Sequence, residues 1–206
     1  VAEYSGASSY GLYTKKKKWL GALKLTGIDM NELPPLVKST DMIGDGLLPE
    51  AAKAMKLNPG TPVFGGCDDT QAAALGSGMN GEGDIHIYLG TSAWVGATSS
   101  TETKFKHGAA AIQSADINMN LIVGVTEAAG SNLEWIKNQF FKKEAEELGS
   151  GIYDYMDSVI EHIPAGSEYL ICTPWMLGER CPVSSTTTRS TLFNIDPRHT
   201  REHLMR

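Results

Sequence analysis

The sequence predicts an α/β protein, and three observations carry that expectation. Thr61-Pro-Val-Phe-Gly-Gly66 reads as a short apolar strand running into a glycine turn, and Thr70-Gln-Ala-Ala-Ala-Leu75 resumes as a small-residue helix. From Gly83 to Thr173 the pattern runs strand, strand, strand, helix, helix, strand, so its first part is a meander rather than a βαβ crossover. The 206 residues, 41% of them hydrophobic, are enough to bury a core in one large domain or two smaller ones.

In chain order, residues 15–25 are compatible with a short helix. Met30 to Leu36, with its Pro34-Pro35 pair, reads as a turn or loop, because proline removes a helical donor and clashes with the preceding turn. Leu47 to Met55 has Pro49 near its start and alanines after it, the pattern of a helix N-terminus. Asp84 to Leu89 and Ala93 to Thr98 predict two antiparallel strands around the tight turn Gly90-Thr-Ser92, and Asn120 to Val125 predicts a third. Leu133, Trp135, Ile136 and Phe140 recur at helical spacing within Ser131 to Phe141, and Ile152 to Ile163 repeats that period. Short strands follow at Tyr169 to Thr173 and Thr191 to Ile195, with Gly178 to Thr188 between them as an exposed loop rich in hydroxyl and turn residues. Met79 to Gly83 supplies the glycines and asparagine of a domain boundary, which divides the chain into residues 1–80 and 81–206. The chain begins with Val and ends at Leu204-Met-Arg206 within an apparent helix, so both ends read as cut.

A formal net charge of −6 offers no electrostatic reason to expect nucleic acid as a partner. The one basic run, Lys15 to Lys18 beside Trp19, reads as a solvated turn or helix end. Cys67, Cys172 and Cys181 are odd in number and far apart, which suggests neither a disulfide framework nor a zinc site and fits a reducing cytoplasm. Apolar runs such as Leu121 to Val125 are far too short to cross a bilayer, so no membrane partner is expected.

Chemistry concentrates between Gly65 and Ser92. The glycines of Gly65-Gly-Cys-Asp-Asp-Thr70 let a ligand approach the backbone, and an aspartate at the mouth of the following helix is placed where a substrate hydroxyl could reach it. Asp68 or Asp69 could equally do no more than cap that helix. Gly90-Thr-Ser92 presents backbone N–H groups and two hydroxyls that could face a phosphate, or it could be a bare connection. There is no Gly-x-x-x-x-Gly-Lys-Ser/Thr loop, and no Gly-x-Gly-x-x-Gly followed by the expected helix and acidic residue.

In combination these segments resemble the FGGY carbohydrate kinases. Four sets of residues occur in that family's order. They are Gly44-Asp-Gly-Leu-Leu-Pro-Glu-Ala-Ala-Lys53 with Trp19 upstream; Gly65 to Gly78 continuing to Gly83-Asp84 and Leu89-Gly-Thr-Ser92; Ala129-Gly-Ser-Asn-Leu-Glu-Trp135; and Gly178-Glu-Arg-Cys-Pro182 with Arg189 and Phe193. The resemblance implies a ribonuclease-H-like, actin/hexokinase-type two-domain kinase. Of that kinase this chain would hold the end of the first domain and the first part of the second.

The resemblance further implies ATP with Mg²⁺ and a small sugar or polyol as partners, and it allows a homodimer. Aligned outward from Gly76, Asp69 matches the family's general base, and Asp69 with Thr70 would contact the sugar. Thr91 matches the phosphate-contacting position, and Gly130 and Glu134 fall where the family lines the nucleotide site. The motif forms look nearest the xylulose-specific branch, which points to a pentulose such as D-xylulose. Thr70 departs from the Asn common there, so glycerol, gluconate, other sugars and a non-catalytic relative of the fold stay open. The family's Asp-x-Gly-Thr hairpin and its adenine-holding glycines are absent from these residues, and the metal would be held mainly by phosphates and by residues outside them. The 206-residue chain alone is therefore expected to be inactive or nearly so.

Overall fold

The computed structural model describes residues 1–13, 16–101 and 108–206; Lys15, the first of the lysine run, lies outside them. The described residues form two compact units, one of 1–86, 96–101 and 110–123, the other of 87–95, 108–109 and 124–206.

The first unit opens with β1 (Ala2–Glu3) and α1 (Tyr4–Ser9), continues through a 3₁₀ turn at Gly21–Thr26 to β2 (Leu36–Val37), and then forms α2 (Pro49–Met55) and α3 (Asp69–Gly76). β1 and β2 pair in parallel. Pro49 stands in the first turn of α2, where its missing N–H costs nothing. The tight turn replaces the helix expected over 15–25, and Trp19 is tied down instead, its indole N–H donating to the Pro34 carbonyl at 2.8 Å.

The strand expected at Thr61 to Gly66 is not a regular strand. Its backbone does pair with residues 39–47, through Ile43 N–H to Val63 O at 2.7 Å, Leu47 N–H to Thr61 O at 2.8 Å and Gly65 N–H to Asp41 O at 3.0 Å. Pro62 has no donor, and Gly44 and Gly46 stand at positive φ, so the ladder never becomes continuous. One isolated bridge, Met42 to Phe64, survives.

A four-stranded sheet follows, from β3 (Ile85–Leu89), β4 (Ala93–Ser99), β5 (Ala110–Gln113) and β6 (Asn120–Thr126), in the order β3-β4-β6-β5. Three residues join β3 to β4, a connection short enough only for an antiparallel pair. β5 escaped the sequence reading because Ala-Ala-Ile-Gln lacks a β-branched run; it pairs antiparallel with β6, whose Leu121 and Val123 are buried. Within the first unit, α1 packs on β5, with the Gln113 N–H donating to the Ser8 hydroxyl at 2.8 Å.

The second unit contains α4 (Gly130–Phe140), α5 (Lys142–Leu148), α6 (Ile152–Ile160), β7 (Ile171–Cys172), β8 (Leu192–Phe193) and α7 (Arg201–Met205). Phe141, Ile152 and Met156 form its core, with Ile136, Tyr155, Val159 and Met205 packed around them. Arg201 closes this core, its guanidinium 4.2 Å from the Phe141 ring centre and bonded to Glu144 at 2.6 Å. β7 and β8 are shorter than expected and pair antiparallel. The Gly178–Thr188 loop is largely exposed, as expected, apart from its first two residues; Glu179 is buried, accepting from the amides of Arg180 at 2.8 Å and Cys181 at 3.4 Å and from the Thr126 hydroxyl at 3.2 Å.

Candidate functional site

The first unit separates the two adjacent aspartates by role. Asp68 is the N-cap of α3, in extended backbone geometry, with Oδ1 accepting the Gln71 N–H at 2.8 Å. Its other oxygen accepts the Ser9 hydroxyl of α1, and its own N–H donates to the Ser5 hydroxyl at 3.2 Å. Ser5 is fully buried and is held in turn by Glu3, whose carboxylate accepts the Ser5 N–H at 2.6 Å and its hydroxyl at 2.7 Å.

Asp69 occupies the first helical position, where a carboxylate is favoured by the helix dipole. It is exposed, and Oδ1 accepts only from its neighbour Thr70, from the N–H at 2.8 Å and from the hydroxyl at 3.4 Å. Oδ2 accepts no hydrogen bond among the described residues. Thr70 is thus half-buried and engaged with Asp69.

Backbone conformation leads into this point. Gly66 adopts φ 74°, a left-handed conformation that favours glycine. A Cβ at Gly65 would collide with the Lys38 carbonyl. Burial pushes the Cys67 thiol up, and the charges of Glu3 and then Asp68 push it further.

The second unit holds the other predicted positions. The Gly90-Thr91 turn lies against the start of α4, and its carbonyls take that helix's first amides: Gly130 N–H to Gly90 O at 2.9 Å, and Ala129 and Ser131 N–H to Thr91 O at 3.0 and 3.1 Å. Gly130 is there because a Cβ would stand 2.7 Å from the Gly90 oxygen. Thr91 is exposed at the turn.

Glu134 is a turn further along α4, and its carboxylate is occupied. Lys137 donates to both oxygens at 2.6 and 2.7 Å, the Tyr153 hydroxyl at 2.6 Å and Asn138 at 3.2 Å. The Lys137 and Tyr153 hydrogen bonds hold its pKa down at about 2. A cavity of about 510 Å³ lies in the same unit, lined by Trp135, Phe140, Met176 and Leu192, with Arg189 the charged residue among its walls.

The structure therefore brings Asp69 and Thr70 together, and it brings Thr91 and Gly130 together. Sequence reasoning missed Ser5, Ser9, Lys137 and Tyr153. Ser5 and Ser9 bond to Asp68 at separations of 63 and 59 residues, and no local pattern signals such a pairing. Lys137 was legible, since a Glu-to-Lys spacing of three residues on a helix is a recognised pairing signal. Among the described residues no group of three or more His, Cys, Asp or Glu is arranged to hold a metal ion, and no helix is long and apolar enough to cross a membrane.

Residues 1–76 match the FGGY family of carbohydrate kinases, N-terminal domain. Over 208 residues the chain is 32% identical to the xylulose kinase of Bacillus subtilis, covering 99% of this chain and 40% of that protein. It is 28% identical to the gluconokinase of the same organism, covering 100% of this chain and 41% of that one. The crystal structure of xylulose kinase from Rhodospirillum rubrum superposes with a TM-score of 0.84 at 26% identity, over 99% of this chain and 40% of its own. The chain thus spans about 40% of the length of the relatives it matches. Its mixed α/β architecture is that of the actin/hexokinase-like sugar kinases, and its residues 1–76 match the N-terminal domain of the FGGY family of carbohydrate kinases.

Proposed function

We propose that these residues carry part of the active site of an ATP-dependent kinase that phosphorylates a pentulose such as D-xylulose, giving the 5-phosphate. The observation that supports this reading best is the division of labour at the start of α3. Asp68 takes the cap, so the Asp69 carboxylate stands exposed, with one oxygen unengaged among the described residues. A general base needs such a group within reach of the acceptor hydroxyl. In the reaction, the sugar oxygen forms a bond to the γ-phosphorus, the bond from that phosphorus to the β,γ-bridging oxygen breaks, and ADP leaves. The hydroxyl proton passes to Asp69 and then to solvent.

Thr70 would orient the sugar, its hydroxyl already beside Asp69. Thr91, Gly130 and Glu134 are the nucleotide-side proposals. Thr91 offers an exposed hydroxyl; Gly130 acts through backbone placement, because its N–H is already bonded to Gly90; Glu134 would have to release Lys137 or Tyr153 to bind ribose. Mg²⁺ bound with ATP would neutralise phosphate charge, with its remaining ligands supplied mainly from outside these residues. On this reading residues 1–80 close a first kinase domain and 81–206 begin a second, and the enzyme works in the cytoplasm.

Gluconate is the second reading. Its support is the Bacillus subtilis gluconokinase, which matches this chain over 100% of its length at 28% identity. Expression of the complete reading frame, with ADP release measured against D-xylulose, gluconate, glycerol and other polyols, decides between them. Turnover with D-xylulose that Asp69→Asn abolishes is the expected result. Full activity in Asp69→Asn sinks the base assignment, and selective turnover of gluconate replaces the pentulose reading.

A further inference from the structure

Three hydrogen bonds, from two helices, converge on Asp68, which is neither the exposed aspartate nor a position that the chemistry of phosphoryl transfer requires. Its Oδ1 fastens the first turn of α3 through Gln71, its Oδ2 reaches across to α1 through the Ser9 hydroxyl, and its amide is held by buried Ser5. The tether extends in both directions. Ser5 is anchored by Glu3, which itself caps α1 through the amides of Ser5 and Gly6. Gln71, 2% exposed, accepts the Ala115 N–H at 3.3 Å through its side-chain oxygen. The start of α3 is thereby fixed to α1 and to the segment following β5, all inside one compact unit.

A simple helix cap needs only the Gln71 contact. The contacts to Ser9 and Ser5 do nothing for the helix ladder of α3; they set the direction in which its first turn points. Asp69 is the next residue, and among the described residues its side chain makes hydrogen bonds only with Thr70. Whatever orientation the Asp69 carboxylate has must be inherited from the backbone that Asp68 clamps. The raised pKa of Cys67, traced after burial to Glu3 and then Asp68, agrees with two carboxylate charges converging on this junction.

We propose that Asp68, tethered by Ser9 and Ser5, is a positioning residue that aims the Asp69 carboxylate at the acceptor hydroxyl. The inference rests on the reading of Asp69 as the general base. It assigns adjacent aspartates to separate tasks, one to hold and one to react, and it makes Ser9 part of the catalytic architecture although the serine contacts no reacting atom.

The test uses the protein expressed from its complete reading frame, with kcat and KM for the preferred sugar and a thermal melt measured on each variant. Asp68→Ala is expected to lower kcat about 10- to 100-fold, the scale on which small misplacements of catalytic groups act, while KM for the sugar changes less. Asp68→Asn keeps an effective cap and a group that Ser9 can bond, so kcat should recover to within about threefold of the parent, with the acid limb of the pH profile unmoved. Ser9→Ala removes the tether and leaves the cap, so it should lower kcat severalfold with little loss of melting temperature, and Ser9→Thr should restore it. Ser9→Ala also carries the test if Asp68→Ala does not fold. A lowered melting temperature with kcat unchanged in both alanine variants would reduce Asp68 to a helix cap and overturn the proposal. Asp68→Asn as inactive as Asp69→Asn, or an acid limb that moves in Asp68→Asn, would overturn it the other way by making Asp68 a participant. Failure of the base reading itself is recognised separately, by full activity in Asp69→Asn.

Discussion

Gly130 and Gly90 meet backbone to backbone: the Gly130 N–H donates to the Gly90 oxygen at 2.9 Å, and a Cβ on Gly130 would lie 2.7 Å from that same atom. The turn bearing Thr91 and the first turn of α4 are thus one object, and side-chain volume at position 130 acts on both. Gly130→Ala is expected to destabilise the protein by about 1–3 kcal/mol, the usual cost of forcing a methyl into a filled space. Chemical denaturation measures it, and an unchanged midpoint would mean that the turn moves aside freely.

The two aspartates at the start of α3 should separate in a stability assay. Asp68→Ala loses the cap bond to Gln71 and the contact with Ser9, an expected loss of about 0.5–2 kcal/mol. Asp69→Ala, at an exposed position with partners only on the adjacent residue, should stay within about 0.5 kcal/mol of the parent. Urea titrations of both variants check this, and equal losses would show that the cap is shared.

Glu134 supplies a pH prediction with a definite sign. Its folded-state pKa is lowered from 4.5 to about 2, first by the Lys137 hydrogen bond and then by Tyr153. A depressed carboxylate pKa contributes stability above its unfolded value and loses it as the pH falls through the folded one. The contribution is therefore full above about pH 4.5 and fades toward pH 2. Carboxyl NMR titration should find Glu134 ionised at pH 3.5, with Lys137→Met and Tyr153→Phe each moving its titration upward. A normal titration in the parent protein would show that the cluster does not persist in solution.

The cysteines should differ in reactivity. Cys172 is exposed, whereas Cys67 is half-buried with its thiol pushed up by burial and by Glu3 and Asp68. Since the thiolate is the nucleophile, a maleimide at neutral pH should label Cys172 well before Cys67, and Glu3→Gln should speed Cys67. Mass spectrometry of tryptic peptides reads the order directly.

Much of the chain was legible from local pattern. The helical spacing of Leu133, Trp135, Ile136 and Phe140 foretold α4, and Gly90-Thr-Ser92 foretold the β3–β4 turn. Pro62 misled the reading of residues 61–66, because an apolar run looks like a strand even when a missing donor and two left-handed glycines on its partner break the ladder. The loop at Gly178 to Thr188 is largely exposed, as its hydroxyl and turn residues suggest, and only tertiary contacts show that Glu179 is buried with three partners.

The same contrast runs through the site. By itself the sequence determined that an aspartate pair opens a helix after a glycine turn, that a Gly-Thr-Ser turn joins two strands, and that these stand in the order found in the FGGY kinases. Such properties depend on neighbours a few residues apart, whose periodicity and backbone preference are written locally. Which of the two aspartates holds the helix and which is left free was decided only in three dimensions. Ser5 and Ser9 hold Asp68 at the cap from 63 and 59 residues away, and a hydrogen bond across that separation leaves no trace in the pattern of either segment.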